Sequence, residues 1–382
     1  MLQLHRTLLR AALGLAGAFF WIGVYRYFYQ LSTDTAEAFA RTAFLYALSQ
    51  VVTILAVPWA AQHLSSGLRR IMARAVFAVS LGLLSLGVLG QFDNGILLPL
   101  VFIAYTLLFG LYAAMYRTPH TGGLLTKAGR VWRGLRELCV IAAPALGGYL
   151  MSRGLTLPEV LGIGGAIAAL SLAPLSRVAE SYERYAHGYR ETFGRLLDRE
   201  HRALLLHGVC AGIEGTALLL AWPIVIFLIT DRSFSLTGAL LSVSLVTAAI
   251  VRVLWRRLVS WRAPSPPVSM ALAGSPWILR LVAAAPIDIV VVDAYAHGGA
   301  SPSEGIDRAA FEQHADGAAY FDEYTVLKEE ALALGRLLAA LGVAAFALDA
   351  SLSFALVALF VAAGLASMFA VSVSLRVGRA MF

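Results

Sequence analysis

Apolar residues along this chain gather into runs of about twenty, separated by short polar intervals, which is the length a helix needs to cross a hydrocarbon layer of about 30 Å. The first part of the chain predicts spans at Leu8–Leu31, Phe39–Ala61, Ile71–Gln91, Ile96–Tyr116, Val131–Met151 and Leu157–Leu175. A charged interval, Ser176–Arg202, divides these from spans at Ala203–Thr230, Leu236–Leu258, Pro267–Ala284, Pro286 to about Arg308, Val326–Leu348 and Leu352–Leu375. Lipid offers backbone N–H and C=O groups no partner, and the runs are too long and continuous for barrel strands, so the spans are helices. The fold class is an all-α polytopic membrane protein with 12 transmembrane helices.

The ninth and tenth spans are the weakest. The apolar core Pro286–Ala296 rises only about 16 Å as a helix, half of what a crossing requires. Either the tenth helix breaks near Gly298, Gly299 and Pro302 and lines a wet cavity, or Met270–His297 is one long span and the protein has 11.

Loop charge tests the count independently. With both termini cytoplasmic, the cytoplasmic segments hold Arg6, Arg10, Arg69, Arg70, Arg74, Arg117, Lys127, Arg130, Arg133, Arg136, the six arginines of 176–202, Arg252, Arg256, Arg257, Arg262, Arg308, Lys328, Arg376 and Arg379. The opposite loops hold mainly Asp34, Glu37, Asp93, Asp231 and Asp349, as the positive-inside rule requires. Eleven spans would put Arg376 and Arg379 outside. The charge rule therefore favours twelve spans and a multi-pass protein of a cell (inner or plasma) membrane. The N-terminus opens like a secretory signal, but its apolar run continues to Phe28, which is right for a first span.

Composition agrees: 59% hydrophobic residues against 14% charged exclude a soluble enzyme with a large core. The net charge of +7 is spread through short loops, which argues against a nucleic-acid partner. Cys139 and Cys210 each fall in an apolar run without a His or Cys at ligand spacing, so no disulfide, metal or cofactor is implied. No phosphate loop, nucleophile elbow, HExxH or CxxC pattern supports enzymatic chemistry.

Sliding the second part back by about 192 positions lays WRAPSPPV and PIDIV over RRIMARAV and FDNGI, and TVLKEEALALGRLLAAL over WRGLRELCVIAAPALGG. The repeat divides the chain into an N-terminal six-helix bundle, 1–175, a charged linker, 176–202, and a C-terminal six-helix bundle, 203–382, an organisation typical of secondary transporters. The linker's six basic and five acidic residues nearly cancel, and pairs such as Glu180 with Arg184 fit a solvated helix on the cytoplasmic face.

This architecture resembles the major facilitator superfamily over essentially the whole chain. The loop between the second and third spans keeps Gly67, Arg69 and Arg70 of the superfamily's pattern, with Ser65 or Ser66 where its acidic residue stands. Ala143–Gly148 resembles the GPxxGG core of many exporters, with alanine in the first position. Asp322–Leu338 is similar to a segment of uncharacterised bacterial members. The resemblance implies two six-helix bundles related by pseudo-two-fold symmetry, acting as a monomer. A small-molecule substrate would bind between them near the midplane, against helices one, four, seven and ten, and be moved by alternating access, with export favoured.

A charged side chain inside a span costs at least about 2.5 kcal/mol on insertion scales, so each one is a candidate site. Glu214 lies near the middle of the seventh span, where a carboxylate can load and release a proton, unless it is structurally bonded to a neighbouring helix. Asp293 and His297, four residues apart, share a face of the tenth helix and form a candidate proton relay or polar substrate contact; with eleven spans they reduce to a cap beside a loop. Arg336, mid-way along the eleventh span, supplies the positive charge that Glu214 or Asp293 needs, or else a structural ion pair. Arg26 either contacts an anionic group or snorkels to the interface among Tyr25, Tyr27 and Tyr29. Tyr105 and Tyr112 share a face of the fourth helix, as cavity-lining or helix-packing aromatics do, and Glu137 reads as a gate or salt bridge. Arg280 is expected to pair with Asp288. The function expected is proton-coupled transport across the lipid bilayer. The alternatives are an uncoupled facilitator, a transporter-like sensor or scaffold and, more remotely, a membrane-embedded transferase.

Overall fold

The computed structural model describes residues 1–91, 97–122, 130–258, 265–298 and 321–380. Every regular element among the described residues is helical. Before the linker come α1 (Leu2–Ser32), α2 (Thr35–Gln62), α3 (Leu68–Leu89), α4 (Leu97–Gly122), α5 (Arg130–Ser152), α6 (Leu157–Leu170) and its short continuation α7 (Leu172–Ser176). The linker contains α8 (Tyr189–Leu197). After it, α9 (Arg202–Thr216) passes through a π-helical turn, Ala217–Ala221, into α10 (Trp222–Ile229), followed by α11 (Phe234–Leu258), α12 (Pro266–Val282), α13 (Pro286–Gly298), α14 (Phe321–Asp349) and α15 (Leu352–Ala380).

Among the described residues ten helical stretches are long and apolar enough to cross a membrane, so the chain is a multi-pass membrane protein. At the ninth and tenth spans expected from the sequence stand α12 and α13, whose 17 and 13 residues rise about 26 Å and 20 Å, less than the other spans. Gly299, Pro302 and Arg308, where a break in the tenth helix is expected, lie outside the described residues.

Local chemistry sets the helix ends. Thr33 takes left-handed φ and closes α1, and the Asp34 side chain accepts the Ala36 amide at 2.8 Å to open α2. Thr156 and Glu159 form a capping box at the start of α6. Asp288 accepts the amides of Ala284 and Ala285 at 3.0 and 2.8 Å, holding the turn into α13.

In the first part of the chain, α3 packs on α4 and α6, and α1 on α2, α5 and α6; in the second, α11 packs on α13, and α15 on α9 and α12. The two parts meet along two seams, α2 with α14 and α5 with α11. In the first seam Val326 of α14 lies among Ala56, Val57 and Ala61 of α2 and Ala114 of α4, and Arg117 of α4 is 3.6 Å from Glu329. Beside it, Gly208 and Gly212 of α9 meet Ala331 and Gly335 of α14; a Cβ on Gly212 would lie 2.3 Å from the Leu332 carbonyl, so the backbones touch as in small-xxx-small membrane pairs.

In the second seam the Ser242 hydroxyl of α11 is spliced into α5 where Pro144 interrupts the ladder. It donates to the Ile141 carbonyl at 2.6 Å and accepts the Ala145 amide at 2.9 Å. Within the resembling stretch Ala143–Gly148, Pro144 and Gly148 approach α11 while Ala143 and Gly147 pack on α1, and Gly238 approaches the Pro144 carbonyl too closely for a side chain. Removing the hydroxyl lets α5 close its own Ile141–Ala145 bond, so Ser242→Ala is expected to cost only about 1 kcal/mol in a detergent unfolding titration.

The linker differs from the solvated helix expected of it. Residues 177–188 form no regular helix and dock on the α2–α3 loop. Glu180 pairs with Arg69 rather than Arg184: its Oε1 accepts the Arg69 amide at 2.9 Å and its Oε2 lies 3.0 Å from the Arg69 guanidinium. Gly67, at φ 117°, leaves room for that carboxylate, which a Cβ would meet at 2.4 Å. The acidic group missing from the loop's own pattern is thus supplied from the linker, 111 residues away. Beyond it, Tyr189 donates to the Leu55 carbonyl of α2 at 3.0 Å, and Leu196 packs with Leu204, Leu327 and Ala331 of α9 and α14, so α8 joins both parts of the chain. At its start the Gly188 amide, with His187 and Arg195 nearby, holds the Glu191 carboxyl below the usual carboxylate range.

Candidate functional site

A buried ion pair in the second part of the chain centres on Arg280. Its side chain, on α12, is 3% exposed, and Nη2 lies 3.0 Å from Oδ1 of Asp293 on α13, itself 6% exposed. Trp222, the first residue of α10, donates its indole N–H to the same carboxylate, at 3.0 and 3.3 Å to the two oxygens. The guanidinium lies 5.2 Å from the Trp222 ring and 4.6 Å from the Trp277 ring, a cation held between two aromatic faces. Trp277 is fixed in turn by a 2.8 Å bond to Ser367 of α15, and Phe360 packs against both indoles.

Arg280 therefore pairs with Asp293 and not with Asp288. Asp288 is committed to backbone amides at the start of α13. Asp293, five residues on, is turned by about 140° and sits about 7.5 Å further along the helix, which brings it to α10 and α12. His297 belongs to the last turn of α13, but its side chain lies outside the described residues. Glu214 is half-buried on α9, close enough to both Arg280 and Cys210 to act on them electrostatically. Cys139 and Cys210 are both free thiols.

Arg336 occupies a second buried position, between α14, α9 and α2. It is 9% exposed and lies across Gly215; a Cβ there would meet Nε at 3.0 Å. The groups that act on it electrostatically are Arg117 of α4, Tyr46 of α2 and Glu329, while the partner of Asp293 is Arg280. Among the described residues neither the Arg336 Nε nor the Tyr46 hydroxyl has a hydrogen-bond partner. Thr216 keeps α9 and α14 in register by donating to the Arg336 carbonyl at 3.2 Å.

Arg26 is exposed on α1, its guanidinium 5.2 Å from the Phe234 ring of α11, beside Arg232 at 4.1 Å from the Tyr29 ring. These two cation–aromatic contacts and the Phe19–Phe234 pair join the two parts of the chain at the end away from the linker. Tyr105 is buried among α1, α3 and α4, with its ring 4.2 Å from that of Phe20 and against Gly82. Tyr112 stacks on Tyr116, and Glu137 is exposed on α5.

Sequence reasoning missed Trp222 and Trp277, which read as ordinary apolar residues, and Glu330. Glu330 is 1% exposed, and both its carboxylate oxygens lack a partner among the described residues. Its position in the acidic start of α14 makes it look like a surface charge, whereas Val326, one turn earlier, already packs on α2.

No family model and no curated protein matches the chain. Solved structures do. The peptide transporter POT is 13% identical, with a TM-score of 0.64, over 99% of this chain and 94% of that one. The nucleoside transporter NupG is 12% identical, with a TM-score of 0.63, over 98% and 99%. A bacterial homologue of the human lysosomal transporter Spinster is 14% identical, with a TM-score of 0.56, over 99% and 97%. These similarities span nearly the full length of each protein, and the chain has the fold that these solved transporters share.

Proposed function

We propose that the chain is a secondary transporter that moves a small solute carrying an anionic group, by alternating access between six-helix halves at 1–175 and 203–382, with both termini cytoplasmic. The observation that carries the reading is Arg336, a guanidinium buried where α14 meets α9 and α2 with Nε unpartnered among the described residues. A buried cation left so costs free energy that a bound anion recovers. The seams support the pseudo-two-fold relation: α2 meets the repeat mate of α5, and α5 meets the repeat mate of α2. POT-family structures in complex with 5-aminolevulinic acid and with sulfate support a small polar ligand. Export rests on the Ala143–Gly148 resemblance.

Coupling to protons is assigned to Glu214 and Asp293. Arg280 touches one carboxylate and feels the other, so a proton taken up by Asp293 releases the guanidinium toward Glu214, linking α9, α12 and α13. The linker's Glu180, paired with Arg69, brings a carboxylate to the α2–α3 loop, which supports transport over a non-transporting scaffold. In proteoliposomes, Glu214→Gln is expected to abolish accumulation driven by a pH gradient while solute exchange at equal pH continues. Accumulation at the wild-type level would remove Glu214 from the coupling.

A further inference from the structure

One face of α3 changes character along its length. Arg70, Arg74, Phe77, Leu81 and Val88 follow one another at helical spacing on a single stripe. The stripe is solvent-accessible throughout: Arg70 and Arg74 are exposed, and Phe77, Leu81 and Val88 are 60%, 46% and 61% exposed. At its basic foot, α3, Leu172 and Ser176 enclose an open cleft of about 550 Å³ whose polar wall is Arg69, Arg70 and Arg74.

The three arginines are not equivalent. Arg69 is spent on Glu180 and on the carbonyls of Ser176 and Val178, both at 3.1 Å. Arg70 has only a loose 3.8 Å contact with Glu180, and Arg74 makes no ion pair or hydrogen bond among the described residues. Three guanidinium groups against one carboxylate leave the cleft strongly positive. From Arg74 to Val88 the helix rises about 21 Å, comparable to one leaflet of hydrocarbon plus its interface.

We propose that this stripe binds an anionic phospholipid of the leaflet at the linker end, with the phosphate between Arg70 and Arg74 and the acyl chains along Phe77, Leu81 and Val88. Charge complementarity selects the headgroup, and the apolar continuation selects a lipid over a free anion.

Native mass spectrometry of the full chain in detergent tests it, with phosphatidylglycerol and phosphatidylcholine of matched chains as competing probes and glycerol 3-phosphate as a headgroup without chains. The wild type is expected to retain phosphatidylglycerol in preference, and the double variant Arg70→Gln, Arg74→Gln to lose roughly thirtyfold in retention. The same change in net charge placed on the linker, Arg190→Gln with Arg199→Gln, is expected to leave retention unchanged. If loss of the Arg70–Glu180 contact prevents folding, Arg74→Gln alone reads the same loss in part. Equal effects of the two double variants overturn the proposal. So does equal binding of glycerol 3-phosphate, or a lipid-free dimer that the α3 variant dissolves.

Discussion

Asp293→Ala is expected to lower the stability of the purified protein by about 3–5 kcal/mol, because it strands a guanidinium that has almost no access to water. Arg280 keeps its two indole faces, but cation–π attraction, worth about 2 kcal/mol or more at a desolvated site, does not neutralise the charge as a carboxylate does. The indole N–H of Trp222 loses its acceptor in the same step. Replacing both charges, Arg280→Met with Asp293→Leu, removes the stranded cation and is expected to recover most of the loss. The measurement is a denaturant or thermal unfolding series in one detergent. If Asp293→Ala melts with the wild type, the pair is not the buried node described. Transport separates structure from mechanism: the double variant should fold and yet fail to respond to a proton gradient.

Arg336→Met is expected to do the opposite. It exchanges a buried guanidinium with an unpartnered Nε for an apolar chain of similar length over Gly215, so stability should hold or rise. Solute affinity should fall by roughly 100-fold, the cost of about 3 kcal/mol for removing one partner of a buried charge pair. Ligand-induced thermal shift and initial transport rate measure the two effects separately. A variant that is destabilised and still transports would make Arg336 a structural ion and end its assignment to the solute.

The membrane class and most helix positions are legible in the sequence because lipid imposes a length and an apolar composition on each crossing, independent of what the helix packs against. Tertiary pairing has no such local imprint. Asp288 stands nearer than Asp293 to Arg280 in the sequence, and only the turn that commits Asp288 to the amides of Ala284 and Ala285 decides between them. The gap in the loop pattern at Ser65 and Ser66 reads as a loss until the fold brings Glu180 across 111 residues. Glu330 shares the composition of a helix start and the burial of a helix middle, and composition alone reports the former. Arg336 and Glu214 stand out at sequence level because charge is rare in a span, but the place of Arg336 against α9 is set by Gly212 and Gly215, whose lack of side chain carries no directional signal.

The π turn at Ala217–Ala221 has a consequence for how the seventh membrane segment can vary. Gly208, Gly212 and Gly215 lie on one heptad stripe facing α14, and Trp222 is the position where an unbroken helix would bring that stripe round again. A π turn holds one residue more than the α turn it replaces, which rotates everything beyond it by about 100° and delivers the indole to Asp293 instead of to α14. The segment is two helices out of phase, each keyed to a different neighbour, with the extra residue as the phase correction. Exchanging one apolar residue for another at the exposed Leu219 leaves that phase intact, whereas changing how many residues lie between 217 and 221 uncouples the two ends.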